Sequence, residues 1–204
     1  MLKNIFKDNV RTIRLNSNGF SYLNDLNPIY EIPSDDQELL VVITHTPPIT
    51  IPIEIYNPQK NMDYLKIQFD SSDIGQIVAS EFKDYALLNF LTTKELQLLE
   101  HIKTEIHFIP LFLFQILHIP QIPENTLLID VQNNCLQCSL LIHEELQFIT
   151  YFYLNNDTDC LYHLMNICAQ FVIDPKDMNL FYISLKESLH TLLESYFTVQ
   201  SILK

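Results

Sequence analysis

Glycine is nearly missing from this chain: Gly19 and Gly75 are the two in 204 residues. An average protein carries about 7%. Glycine lets a backbone close tightly around a phosphate. Two isolated glycines exclude a Walker loop and a dinucleotide fingerprint, both of which need several at fixed spacing. Tryptophan is absent altogether. Basic residues are scarce, 12 Lys and Arg against 25 Asp and Glu, for a net charge of −13. A surface of that sign repels phosphate backbones and anionic headgroups, so neither nucleic acid nor a membrane surface is an expected partner. Lys3, Lys7, Arg11 and Arg14 form the one local gathering of positive charge.

Long apolar runs are also lacking. Met1 to Val10 has no apolar core of signal-peptide length, and no window reaches the ~18 apolar residues of a spanning helix. The most apolar stretch, Phe108 to Ile122, is interrupted by Pro110, Gln115, His118 and Pro120, and reads as a short buried helix. These features give the expectation of a cytoplasmic protein with reduced thiols. Its cysteines are Cys135, Cys138, Cys160 and Cys168. Cys135 and Cys138 form a lone CxxC with no second pair, so structural thiols are expected ahead of a metal or redox site.

What is present is a core-forming composition, 48% hydrophobic and 18% charged, with 13 Phe and 10 Tyr. A chain of this size buries roughly 70% of its unfolded surface and needs no disulfide staple. The C-terminal part is the more regular. Leu127–Val131, Leu136–His143 and Leu146–Leu154 read as strands, separated by turns at Gln132–Asn134 and Glu144–Glu145. Asn155–Asp157 offers an N-cap to a helix over Thr158–Phe171, which Asp174–Pro175 ends. A strand over Leu180–Ile183 and a capping box at Ser184–Glu187 leading into a helix to Tyr196 complete the order β-β-β-α-β-α.

The N-terminal part is similar but less regular. Val10–Leu15 and Phe20–Leu23 form a hairpin, Leu39–Thr44 a buried strand, and Ile49–Ile53 a strand broken by Pro52. A short helix is expected near Asn57–Leu65, and a hairpin of Ile74–Phe82 with Tyr85–Phe90. Thr92–Glu95 is a capping box, followed by a helix to Ile102, a strand at Ile106–Ile109 and a further helix. Two β-rich units in succession predict two related lobes, residues 1–122 and 123–204, joined where Pro120 and Pro123 stiffen the chain.

Three segments carry a resemblance: Arg11 to Tyr22; Thr46-Pro-Pro-Ile-Thr-Ile-Pro-Ile-Glu-Ile-Tyr56; and Phe148 to Phe171 with Asp157 and Asp159-Cys-Leu-Tyr-His. They resemble the uncharacterised bacterial family called domain of unknown function 3822. The resemblance implies an α/β fold of the actin and sugar-kinase ATPases, with two ribonuclease H-like lobes facing across a cleft. In ATP-using members each lobe presents a hairpin of the pattern D-x-G, whose Asp positions magnesium and whose Gly admits the phosphate. Here the first-lobe stretch puts Arg14 at the Asp position and Asn16, followed by Ser17, at the Gly position. The second-lobe stretch keeps Asp130 but has Gln132 for Gly. The glycine turn near the adenosine would fall at Ile183–Lys186, around Ser184, and contains no Gly.

Asn16, Ser17, Asp130, Gln132 and Ser184 are therefore the candidate cleft residues, in a degenerate site with no confident cofactor, no metal and no catalytic residue expected. Asp130 also has a plainer reading, an Asx cap on the turn that follows it. The seven histidines are dispersed without metal spacing, and Asp35–Asp36 and Glu144–Glu145 read as solvated loop pairs. The expected function is a non-catalytic actin-like protein acting through an unidentified protein partner. A divergent ATP-binding enzyme is the alternative. A binder of an unphosphorylated small ligand is a third reading.

Overall fold

The computed structural model describes residues 10–16, 19–23, 28–29, 38–70 and 73–203. The chain divides into two compact units: Met1–Tyr22 with Asn27–Leu113, and Leu23–Leu26 with Phe114–Lys204.

In the first unit, β1 (Val10–Asn16) and β2 (Gly19–Tyr22) pair as an antiparallel hairpin in which Asn16 stands opposite Gly19. Gly19 has φ +109°, a conformation L side chains rarely adopt, so glycine is required there. With β3 (Pro28–Ile29), β4 (Glu38–Ile43) and β8 (Ile106–Pro110) these strands form a sheet in the order β3-β2-β1-β4-β8. β1, β4 and β8 run parallel. β4 reads as an unbroken apolar run because Leu39 to Ile43 are buried on both faces, as parallel central strands are. Between β4 and β8 lies an insertion: β5 (Ile49–Pro52), α1 (Asn61–Gln68), β6 (Ile74–Phe82), β7 (Tyr85–Thr92) and α2 (Thr93–Leu99). Its strands make a second sheet, β5-β7-β6. The α2 capping box forms as its sequence predicts. Glu95 N–H donates to Thr92 Oγ1 at 3.2 Å, and Thr92 N–H to Glu95 Oε2 at 2.7 Å. α1 starts at Asn61, after a 3₁₀ turn over Pro58–Lys60, and not at Asn57.

α3 (Leu111–His118) follows β8 directly and is the short apolar helix expected there. The second unit's sheet has the order β11-β10-β9-β12-β13, built from β9 (Asn125–Gln132), β10 (Cys135–Ile142), β11 (Glu145–Tyr153), β12 (Asn179–Tyr182) and β13 (Thr198–Ser201). β9, β12 and β13 are parallel, and β10 is antiparallel to both its neighbours. Each unit's main sheet thus follows one plan. The first strand is central, its two hairpin successors lie on one side, and two later parallel strands lie on the other. This is the ribonuclease H-like arrangement, present twice.

α4 (Asp157–Phe171) is capped by Asn156, whose Oδ1 accepts from Asp159 N–H at 3.1 Å. It buries Cys160, Leu164, Ile167 and Cys168 against Leu127, Ile129, Leu136, Cys138 and Leu140 of the sheet. α5 (Glu187–Glu194) completes that core with Leu189 and Leu193.

The C-terminal expectations need three corrections. The β10–β11 turn is His143–Glu144, with φ 50° and 65°, so β11 starts at Glu145. The Ser184–Glu187 capping box does not form. Helix α5 begins at Glu187, and its N-cap Lys186 makes no side-chain cap bond. Buried Ile183 and core-packed Leu185 hold that segment against the core, and tertiary packing overrides the local motif. Strand β13 escapes pattern reading because a four-residue edge strand with one apolar residue, Val199, has no alternation to detect.

α4 ends on a strained residue. Val172 is left-handed (φ 57°, ψ 40°) and 93% exposed, yet β-branched. The left-handed region costs a side-chain-bearing residue about 1–2 kcal/mol. Val172→Gly is therefore expected to stabilise the chain by about 1 kcal/mol after the entropy of the added glycine is subtracted. A rise in urea midpoint at constant slope checks it, and an unchanged midpoint would contradict it.

Candidate functional site

β9 carries its side chains alternately to two faces. Leu127, Ile129 and Val131 join the core under α4. Asp130 and Gln132 therefore share the opposite face. Asp130 is buried, 3% exposed, and its Oδ2 accepts a hydrogen bond from Gln132 Nε2 at 2.6 Å. The structure thus joins two of the candidate residues, and the side chain at the glycine position folds back onto the carboxylate. Directly across on β10, Gln137 pairs with Asp130 and Cys135 with Gln132. Gln137 is buried, and its Nε2 finds no protein acceptor. The intervening turn, Asn133–Asn134, has φ 49° and 58°, a two-residue hairpin of mirror-image type built from asparagine and without glycine.

The first unit has its equivalent on β1. Arg14 stands two residues before the end of its strand, as Asp130 does before the end of β9. Ile13 and Leu15 enter the core, and Arg14 occupies the other face, fully buried, opposite buried Ser21. Thr44 closes the strand end: its N–H and its Oγ1 both donate to the Leu15 carbonyl at 2.8 Å. Asn16 is the last residue of β1, and Ser17 lies outside the described residues. Ser184 is half-buried after β12, at the head of the segment leading to α5, apart from the Asp130–Gln132 pair in sequence and element.

The CxxC pair is split by the same alternation. Cys138 faces the core, while Cys135 lies on the Asp130 face. Residues three apart on a strand are about 10 Å apart and point oppositely, which prevents them from sharing a metal. All four thiols are free, and among the described residues no group of three or more His, Cys, Asp or Glu is placed to hold a metal ion. Burial pushes the Cys160 thiol up to about 12 and Cys168 up to about 11. Burial, then Asp130, also raises Cys135. Thiols so protonated are poor nucleophiles.

Sequence reading missed the buried polar residues Gln115, Gln137, Ser139, Asn89 and His45. For Gln115, Gln137, Ser139 and Asn89 the signal was present as polar residues within an apolar helix and apolar strands, whereas His45 lies in the bend after β4 and gave none. Gln115 Nε2 on α3 donates to the Ile129 carbonyl at 2.9 Å. Asn89 Nδ2 donates to the Thr46 carbonyl at 3.1 Å. His45 lies 4.0 Å from Glu95 Oε1 and edge-on to Phe90. Burial lowers its pKa below the ordinary 6.5, with Glu95 pulling the other way. A base whose folded pKa is lowered binds its proton more tightly when unfolded. Stability is then full above 6.5 and falls as pH drops below it. Urea midpoints at pH 7.5 and pH 5.5 should differ by less in His45→Gln than in the parent chain; an equal difference in both would contradict this.

The doubled sheet plan, with the Asp130 and Arg14 positions at corresponding strand ends, defines a protein of actin-like ATPase fold. The chain belongs to the family described as Protein of unknown function (DUF3822), whose family model matches residues 35–199. Among solved structures it is similar to a Bacteroides thetaiotaomicron protein with actin-like ATPase fold and unknown function. That likeness has a TM-score of 0.68 at 11% identity, covering 94% of this chain and 90% of that one. It is also similar to a chain of the PilM-PilN type IV pilus biogenesis complex, with TM-score 0.49, 12% identity, and 80% of this chain and 68% of that one covered. A third likeness is to an AlfA filament bound to AMPPNP, with TM-score 0.41, 15% identity, and 82% and 53% covered. No curated protein matches the sequence. Among the described residues, no helix is long and apolar enough to cross a membrane.

Proposed function

We propose that this chain is a non-catalytic member of the actin-like fold that acts through contact with another protein. The observation that carries the reading is the 2.6 Å bond from Gln132 to Asp130. A phosphate-binding turn needs bare backbone N–H groups at the Gln132 position and a carboxylate free to orient magnesium and water. Here the amide side chain occupies the first and engages the second. Arg14 in place of the first-lobe carboxylate, and Asn16 and Ser184 where glycines would stand, weaken the other contacts in the same direction. One lost electrostatic contact typically costs about 10²–10³ in rate, and losses at several turns leave little turnover. In this reading the lobes are residues 1–122 and 123–204, no nucleotide or metal is required, and the protein works in the cytoplasm.

Retention of Asp130, buried at the end of β9, supports a second reading, a divergent ATP-binding enzyme. Phosphate release from Mg-ATP separates the two. The non-catalytic reading expects the same background rate from the parent chain and from Asp130→Asn. Turnover that disappears in Asp130→Asn would establish the enzyme instead.

A further inference from the structure

We propose that the outer edge of β11 accepts an extended, basic segment of a partner protein as an added strand. This rests on the reading of the chain as a protein that works by contact, and names the surface and the chemistry of that contact.

β11 is nine residues long and stands last in its sheet. Among the described residues only β10 pairs with it. Natural edge strands of that length are usually blunted with lysine, proline or brevity. Glu145–Tyr153 contains neither Lys nor Pro. The Leu154 N–H donates inward, to the Asn134 carbonyl at 2.7 Å. By the alternation of an antiparallel ladder, Phe152 and Thr150 also bond toward β10, while Tyr151 and Tyr153 aim their N–H and C=O groups outward. Those outward groups are what an incoming strand would use.

Aromatic rings flank this edge on both faces. Tyr151 and Tyr153, 37% and 77% exposed, meet edge to face with centroids 5.5 Å apart. On the other face Phe152 stacks on His163 of α4 at 4.2 Å, next to exposed Tyr162. An added strand sends alternate side chains to each of these surfaces, which is how edge-strand recognition gains specificity. β6 is the other nine-residue edge strand, but it carries no exposed large apolar side chain and runs into Lys83.

Charge identifies the occupant. Between Lys103 and Lys176 the chain has no Lys or Arg. Glu144, Glu145, Asp157 and Asp159 bracket the two ends of β11. The Asn155 backbone N–H bonds Asp159 at 2.8 Å and holds its carboxyl below the usual range, so the charge persists. A second copy would bring the same acids to the same edge, and like charges facing across paired strands oppose association. A Lys- or Arg-bearing segment is complementary.

The chain has no Trp, so a tryptophan on a peptide reports binding by itself. The probe is an acetylated peptide of alternating Lys and Val ending in Trp. One control replaces Lys by Glu, and another replaces alternate Val by Pro, which keeps the charge and forbids a strand. The expected result is saturable binding of the Lys–Val peptide alone, with slowed hydrogen exchange at the Tyr151 and Tyr153 amides. Affinity should fall about tenfold or more in Tyr151→Lys/Tyr153→Lys. Tyr153→Lys, at the more exposed site, should show a smaller fall and serves if the double variant does not fold. Equal binding of the Glu or Pro peptide, protection confined to other strands, or undiminished binding by the lysine variants would overturn the proposal. Phosphate release is measured on the same sample. ATP turnover there would sink the contact reading whatever the peptide does. Absent peptide binding without turnover would overturn only the assignment of this edge.

Discussion

Leu164→Ala is expected to lower stability by about 3 kcal/mol, within the 2–5 kcal/mol range of buried leucine truncations. Leu164 is fully buried in the middle of the α4 face, where Cys160, Ile167 and Cys168 surround it and the β9 and β10 side chains oppose it. A helix laid on a sheet cannot settle into one missing side chain, because its neighbours are fixed by their own contacts. The residual cavity therefore adds to the lost transfer energy. Urea denaturation followed by far-ultraviolet circular dichroism measures the change. A loss below about 1 kcal/mol would mean that α4 does not seal this core.

Gln115→Leu is expected to cost about 2 kcal/mol although it adds apolar surface. Pairing of β12 with β9 ends at the rung Tyr182–Ile129. The Gln115 amide meets the Ile129 carbonyl near that end, within a buried site. Leucine has the right bulk and no donor, so the carbonyl loses its partner without gaining water. The cost is expected to exceed that of Gln147→Leu, where an exposed glutamine bonds the Glu145 carbonyl at 3.1 Å. Equal effects at the two positions would remove Gln115 from this capping role.

The parts of the fold legible in sequence are those set by local rules. The Asn133–Asn134 turn, the Asn156 cap and the Thr92–Glu95 box each use residues whose side chains or backbone preferences fix the geometry within a few positions. The parts not legible depend on distant packing. Ser184–Glu187 has the letters of a capping box, but Ile183 and Leu185 are committed to the core before the helix can begin. His143 and Glu144 take the left-handed positions of the β10–β11 turn. Histidine tolerates that region, but that this pair and not Glu144–Glu145 makes the turn is set by the closing pair Ile142–Glu145, a matter of strand register.

The candidate site divides in the same way. That Asp130 and Gln132 share a face follows from strand alternation, and the bond between them is its consequence. That Gln137 would sit opposite Asp130, buried, required the register of two strands. That β11 stands last in its sheet among the described residues required the order of all five strands. A repeat of element order was visible along the chain, while its meaning, one sheet plan used twice, belongs to hydrogen bonds between strands far apart in sequence.

The most direct test of the central claim is the melting temperature of the parent chain against rising Mg-ATP. A ligand that binds only the folded state at a hundred times its Kd adds about 2.7 kcal/mol, a shift of several degrees in a chain of this size. With Gln132 seated on Asp130 and no glycine at the turn, the melting temperature is expected to stay level into the millimolar range. A midpoint that climbs with nucleotide as mass action requires, and stops climbing in Asp130→Asn, would contradict the account.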